Sequence, residues 1–274
     1  MPTALTETPR QALKTSGTLI MGIVNVTPDS FSDGGKFLDP KAAIEQAYRL
    51  VEEGADILDI GAESTRPGAE YVSAEDEWRR LEPVLRELCQ NSPVPISVDT
   101  YKSSVAARAI ELGIDIINDI WGGLADADML NVVAQAKCGY IWMHNREHPV
   151  QENAFDALVH ETRAGIERCL AAGIDKALLW IDPGIGFGKT YHQNLSILRR
   201  LSEYCALGYP VLLGTSRKSV IGNTLNVPPA DRLEGSLATA VLGVAAGVRC
   251  IRVHDVRATV RACRMTEAIL QADE

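Results

Sequence analysis

The stretch "EEGADILDIG", residues 52–61, decides the fold. Two acids end a polar segment, and Gly54 follows them. A glycine there suits the left-handed cap that closes a helix. The run after it, from Asp56 to Gly61, is short, apolar and bounded by turn residues. Such a run reads as a strand covered on both faces, the habit of parallel sheets flanked by helices. The same order returns in "ELGIDIIND" (111–119), "AAGIDKALLWID" (171–182) and "AAGVRCIRV" (245–253).

Outward from these anchors the whole chain parses the same way. Strand-like runs fall at 18–26, 56–61, 94–99, 114–119, 139–144, 177–182, 209–214 and 249–253. Helical patterns follow them near 40–53, 73–90, 102–112, 127–137, 155–172, 193–206, 230–246 and 257–272. Eight strand–helix units in 274 residues predict an α/β protein, a (β/α)8 TIM barrel in a single domain. Residues 1–17 stand before the first strand as an N-terminal extension. A doubly wound open sheet would more often carry G-x-G-x-x-G after its first strand, and this chain has none there.

Composition narrows the function. A net charge of −9 argues against nucleic acid and anionic membrane surfaces as partners. It leaves room for a small anionic ligand, because distant surface acids are screened beyond about 8 Å. The six cysteines form no C-x-x-C pair and no zinc spacing, which suits reduced thiols in the cytoplasm. The first residues lack the apolar core of a signal peptide, and the longest apolar run, 238–248, is too short to span a bilayer.

A barrel of this type builds its site at the C-terminal strand ends. Those ends are polar throughout. In strand order they carry Asn25; Glu63, Ser64, Thr65 and Arg66; Asp99; Asn118 and Asp119; His144; Asp182; Ser216, Arg217, Lys218 and Ser219; and Arg252 with His254. One polar strand end is unremarkable, since the chain is leaving the core. The full set carries the argument. Thr65, Arg66, Lys218, Arg252 and His254 are donors and cations fit for a phosphate or pyrophosphate. Asn25 offers an oxygen fit for Mg²⁺, which takes few protein ligands and borrows phosphate oxygens. Asp99, Asn118 and Asp182 can accept from the paired N–H groups of a guanidine-like heterocycle edge.

Two stretches mimic other sites. "DPGIGFGKT" (182–190) has Pro183 where a Walker loop needs glycine, so it reads as a tight loop bringing backbone and Phe187 near a ligand. "HNREHP" (144–149) spaces His144 and His148 four apart without further ligands, and reads as polar surface.

The segments "GIVNVTPDSFSDGG", "DIGAESTRPGA", "SVDT", "NDI", "IDPGIGFGK", "GTSRKS" and "IRVHDV" together resemble the dihydropteroate synthase family, in family order and over nearly the whole chain. The resemblance implies a single pterin-binding domain over 1–274. It implies condensation of 6-hydroxymethyl-7,8-dihydropterin pyrophosphate with p-aminobenzoate, Mg²⁺ as cofactor, and folate biosynthesis as the setting. It places Asp99, Asn118, Asp182 and Lys218 on the pterin, and Asn25 on Mg²⁺ and pyrophosphate. Thr65, Arg66, Arg252 and His254 hold the leaving group, and Phe31, Pro67, Phe187 and Ser219 frame p-aminobenzoate. Asp33, Arg66 and Lys218 form the catalytic set, with Asp33 and Arg66 on two mobile loops.

The chain departs from the family's usual wording at 143–149 and at Val220, where an aromatic is common. A pterin-dependent methyltransferase would share the acceptors without needing the loop 27–35 or the cations together. A non-catalytic pterin-binding paralogue would have lost Arg66, Lys218 or an aspartate. A sugar-phosphate barrel would not explain three acceptors. The pattern at 230–246 is apolar on more than one face, and the resemblance implies a homodimer.

Overall fold

The computed structural model describes residues 17–27, 40–64, 70–151 and 153–272. The strands are β1 (Leu19–Asn25), β2 (Ile57–Gly61), β3 (Ile96–Asp99), β4 (Ile116–Asp119), β5 (Gly139–Met143), β6 (Leu179–Asp182), β7 (Leu212–Leu213) and β8 (Cys250–Val253). Between and after them run α1 (Pro40–Glu52), α2 (Ala74–Asn91), α3 (Ser103–Glu111), α4 (Met129–Ala136), α5 (Ala154–Ala171), α6 (Tyr191–Arg199), α7 (Leu201–Cys205), α8 (Ser219–Leu225), α9 (Leu233–Ala245) and α10 (Val256–Leu270).

All strand pairs are parallel, in the order β6-β5-β4-β3-β2-β1-β8-β7. The remaining gap closes through one parallel bridge, Ile181 to Val211. The result is the (β/α)8 barrel expected. The four glycines of the recurring motif, Gly54, Gly113, Gly173 and Gly247, have φ of 99°, 94°, 95° and 88°. Each is the left-handed residue that ends a helix before its strand.

The barrel interior explains where the site must lie. Leu19, Met21, Ile57, Ile116, Ile141, Trp180, Leu212 and Cys250 form one buried apolar cluster. Side chains two apart on a strand share a face. Two residues beyond this plug therefore stand Asp59, Asn118, Asp182 and Arg252, on the same inner side. Asp99 joins them through its register with Asn118. A larger apolar core fills the layer between strands and helices.

Three details differ from the sequence reading. The helix expected at 193–206 breaks at Arg200, whose side chain pairs with Glu203 at 2.8 and 2.7 Å and stacks 3.9 Å from the Phe155 ring centre. The helix expected from 230 begins at Leu233, after a 3-10 turn at Pro229–Asp231, because Pro228 and Pro229 cannot donate to a helical ladder. Helix α8 is too short, at seven residues, for apolar periodicity to show it. Among the described residues no helix is long and apolar enough to cross a membrane.

Candidate active site

Arg252 stands at the centre of the inner acids. Its Nε donates to Asp59 Oδ2 at 2.5 Å and its Nη2 to Asp99 Oδ2 at 2.7 Å. Asn118 Nδ2 donates to the same Asp59 oxygen at 3.1 Å. Burial pushes the Asp99 carboxyl up to about 7 against the pull of Arg252, and the Asp59 carboxylate adds to the rise. Arg252 therefore rests among the acceptors expected for a heterocycle, while Thr65 and Arg66, its partners in the expected phosphate-binding group, lie outside the described residues.

Asp182 lies on the next wall. Its Oδ1 accepts from Gly184 N–H at 2.7 Å, and burial raises its pKa while Lys218 opposes the rise. Lys218 Nζ donates to the Ile185 carbonyl at 2.7 Å and sits 4.7 Å from the centre of the Phe187 ring. Burial pulls the Lys218 ammonium down to about 8, with Asp182 resisting and Arg252 reinforcing the fall. The structure thus brings Asp99, Asn118, Asp182, Lys218, Arg252 and Phe187 to one end of the barrel.

The loop after β6 owes its glycines to close backbone approach. A Cβ on Gly184 would lie 1.9 Å from the His144 carbonyl, and one on Gly188 would lie 2.2 Å from that of Arg146. Lys189 pins this contact. Its Nζ donates to the carbonyls of Gly184 and Phe187 at 2.9 Å and of His144 at 3.3 Å, and meets His144 Nδ1 at 2.9 Å. Burial drives Lys189 down to about 7 despite Asp182, and Arg146 and Lys218 add to the fall. His144 corrects the expectation of a polar surface. It is buried at 1% exposure, its Nε2 is 3.0 Å from Glu161, and burial beside Lys189 and Arg146 lowers it to about 3. Arg146 grips the same Glu161 through two bonds of 2.9 Å, so the unusual 143–149 wording is built into the scaffold under the loop.

Between β7 and α8 the chain sorts its polar residues by direction. Arg217 adopts φ 58° and turns outward onto Asp255, at 3.0 and 2.5 Å. Its neighbours Ser216 and Lys218 turn inward. Ser216 Oγ meets His254 Nδ1 at 3.0 Å and accepts from the His254 N–H at 3.2 Å. Ser219 is exposed at the first turn of α8. Asp119, beside Asn118, faces the outer layer, where it accepts from Trp121 N, Gly123 N and Tyr140 Oη.

Asn25 ends β1 opposite Gly61. Beyond β2, Glu63 accepts from Tyr101 Oη at 3.0 Å and Val72 N at 3.1 Å. Lys102 bridges Glu63 and the buried Glu77. This network anchors the described flanks of segment 65–69. Phe31, Asp33, Thr65, Arg66 and Pro67 lie outside the described residues.

For Mg²⁺, the described residues hold no group of three or more His, Cys, Asp or Glu side chains placed to cage an ion. The amide oxygen of Asn25 suits the other mode, one hard protein donor supplemented by phosphate oxygens. Sequence reasoning missed Asp59 and Lys189. Asp59 had a signal, an acid at an inward position of an apolar strand. Lys189 had none beyond a discarded Walker pattern.

A (β/α)8 barrel with buried carboxylates and cations gathered at its strand ends is built to hold a small polar ligand by its edge. The pattern of the pterin binding enzymes matches residues 21–254. The dihydropteroate synthase of Bacillus subtilis is 46% identical over 253 residues, 92% of this chain and 89% of that one. A solved dihydropteroate synthase from Clostridium difficile, in the presence of pteroic acid, superposes with TM-score 0.91 at 47% identity, covering 94% of this chain and 98% of that one. The Xanthomonas albilineans enzyme with 4-aminobenzoic acid does so with TM-score 0.91 at 42% identity, over 94% and 95%. The chain belongs to the pterin binding enzymes, in the dihydropteroate synthase family.

Proposed function

We propose that this chain condenses 6-hydroxymethyl-7,8-dihydropterin pyrophosphate with p-aminobenzoate, giving 7,8-dihydropteroate and pyrophosphate. The observation that carries the reading is the convergence of Asp99, Asn118, Asp182 and Lys218 on one buried end of the barrel. In this reading the carboxylates and the amide receive the N–H edge of the pterin, and Lys218 donates to its ring. His254, with Thr65 and Arg66, takes the pyrophosphate. Arg252 can reach a phosphate oxygen through Nη2 by releasing Asp99, while its Nε stays on Asp59. Phe187 and Ser219, with Phe31 and Pro67, frame the aminobenzoate ring.

The amine of p-aminobenzoate is already neutral at pH 7, so it needs no strong base to become a nucleophile. Its lone pair forms the new C–N bond at the exocyclic methylene as the C–O bond breaks. The bond pair leaves with pyrophosphate, and the amine then loses its proton. Negative charge grows on the leaving group, where fixed cations lower the barrier. Asp33 would steady the positive charge on the methylene. Asn25 would hold Mg²⁺ together with phosphate oxygens, and the ion would supply further neutralisation there.

The cysteines are all free thiols, which suits a reducing cytoplasm. The homodimer rests on exposed apolar side chains of two packed helices, Leu242 on α9 and Met265, Ile269 and Leu270 on α10. The direct test of the reaction mixes both substrates with purified protein, with and without Mg²⁺. Dihydropteroate and pyrophosphate should appear together and require the ion. Tight binding of the pterin substrate with no product would instead make this a non-catalytic paralogue.

A further inference from the structure

Asp59 has no direct part in the reaction as proposed, yet two groups that do, Arg252 and Asn118, lean on it. It is fully buried on β2, in register with Ser97 and one inward position below the level of Gly61 and Asp99. Its Oδ2 takes Arg252 Nε at 2.5 Å and Asn118 Nδ2 at 3.1 Å. Its Oδ1 and the Ser97 hydroxyl have no hydrogen-bond partner among the described residues. A carboxylate paired with a guanidinium has only lone pairs to offer. The end of the Asn118 amide that faces Asp59 must therefore be the NH2. The carbonyl oxygen is the end of the amide left free of Asp59, and it is not among the fully buried unpartnered atoms.

We propose that Asp59 is a positioning residue that sets substrate specificity: by holding the Asn118 amide by its nitrogen, it lines up the Asn118 oxygen with the Asp99 and Asp182 carboxylates as a row of acceptors, beside the donor Lys218. The ligand chosen by such a row carries an amino group beside its ring N–H. A counterpart with a second oxo group at that place meets oxygen against oxygen. An asparagine at position 59 offers both a donor and an acceptor, so the Asn118 amide can turn over and receive either ligand.

This inference rests on the pterin reading of the site. The test measures binding of 2-amino-4-oxopteridine-6-carboxylate and its 2,4-dioxo counterpart to wild type, Asp59→Asn, Asn118→Ala and the double variant. Wild type should favour the amino form. Asp59→Asn should cut that preference about ten- to a hundredfold, the range of one charged hydrogen bond. Asn118→Ala should cut it similarly, and adding Asp59→Asn should then change it no further. Loss of Arg252 placement weakens both ligands alike and cancels in the ratio. If Asp59→Asn does not fold, Asp59→Ser carries the same ratio test. An unchanged ratio in a folded Asp59 variant, or an Asp59 effect that persists without the Asn118 amide, overturns the proposal while leaving the pterin reading intact. A wild type with no preference overturns both.

Discussion

The two ends of the barrel interior are made largely by the same strands, on β2, β4, β6 and β8 two residues apart, and they have opposite chemistry. The lower end is closed by Met21, Ile57, Ile116, Ile141, Trp180, Leu212 and their neighbours. The upper end gathers Asp59, Asn118 and Asp182, which are buried, with Asp99, Lys218 and Arg252, which are partly buried. The lower end gains from every apolar contact. The upper end bears the desolvation of charges that are only partly paired. Its cost is visible in the upward shifts of Asp99 and Asp182 and the downward shift of Lys218. Stability and function are thus separated along the barrel axis, and a substitution should damage one without the other.

The largest effect is expected below. Met21→Ala should cost about 2–5 kcal/mol of stability in urea unfolding. Turnover per folded molecule should stay near wild type, and a loss of turnover equal to that in an upper-end variant would erase the distinction.

Above, Asp182→Asn should act with the reverse sign. The kcat/KM for the pterin substrate should fall about ten- to a hundredfold, as one charged acceptor is lost. Stability should hold or rise. The folded pKa of Asp182 is raised, so its ionised form at neutral pH disfavours the native state. A large drop in melting temperature would show that the upper acids also hold the barrel together.

The smallest effect is with pH. Asp99 gains a proton as pH falls through about 7, and Lys218 loses one as pH rises through about 8. The first change removes an acceptor and the second a cation, so kcat/KM should peak between these values and fall on both sides. Lys218→Arg should move the alkaline limb upward, since a guanidinium does not titrate there. A flat profile from about pH 6 to 9 would mean that neither group is bound in its charged form.

Much of this arrangement was legible in the chain. Gly54, Gly113, Gly173 and Gly247 mark helix ends through a local backbone need, and the short apolar runs after them mark covered strands. Asp99, Asn118 and Asp182 stood out because they end such runs. His144 and Lys189 were not legible as a pair. They meet across 45 positions, and only the packing of the glycine loop against Arg146 brings them together.

The sequence by itself determined the number and order of the strands and which of their ends turn polar, because caps, breaks and apolar runs are local signals. Only the tertiary structure decided how the charges pair. Asp59 and Arg252 are 193 positions apart and meet because β1 bridges β2 and β8. Arg217 and Lys218 are adjacent, yet a positive φ sends the first out to Asp255 and leaves the second inside. Such choices depend on register and closure around the whole barrel, which no short stretch of sequence contains.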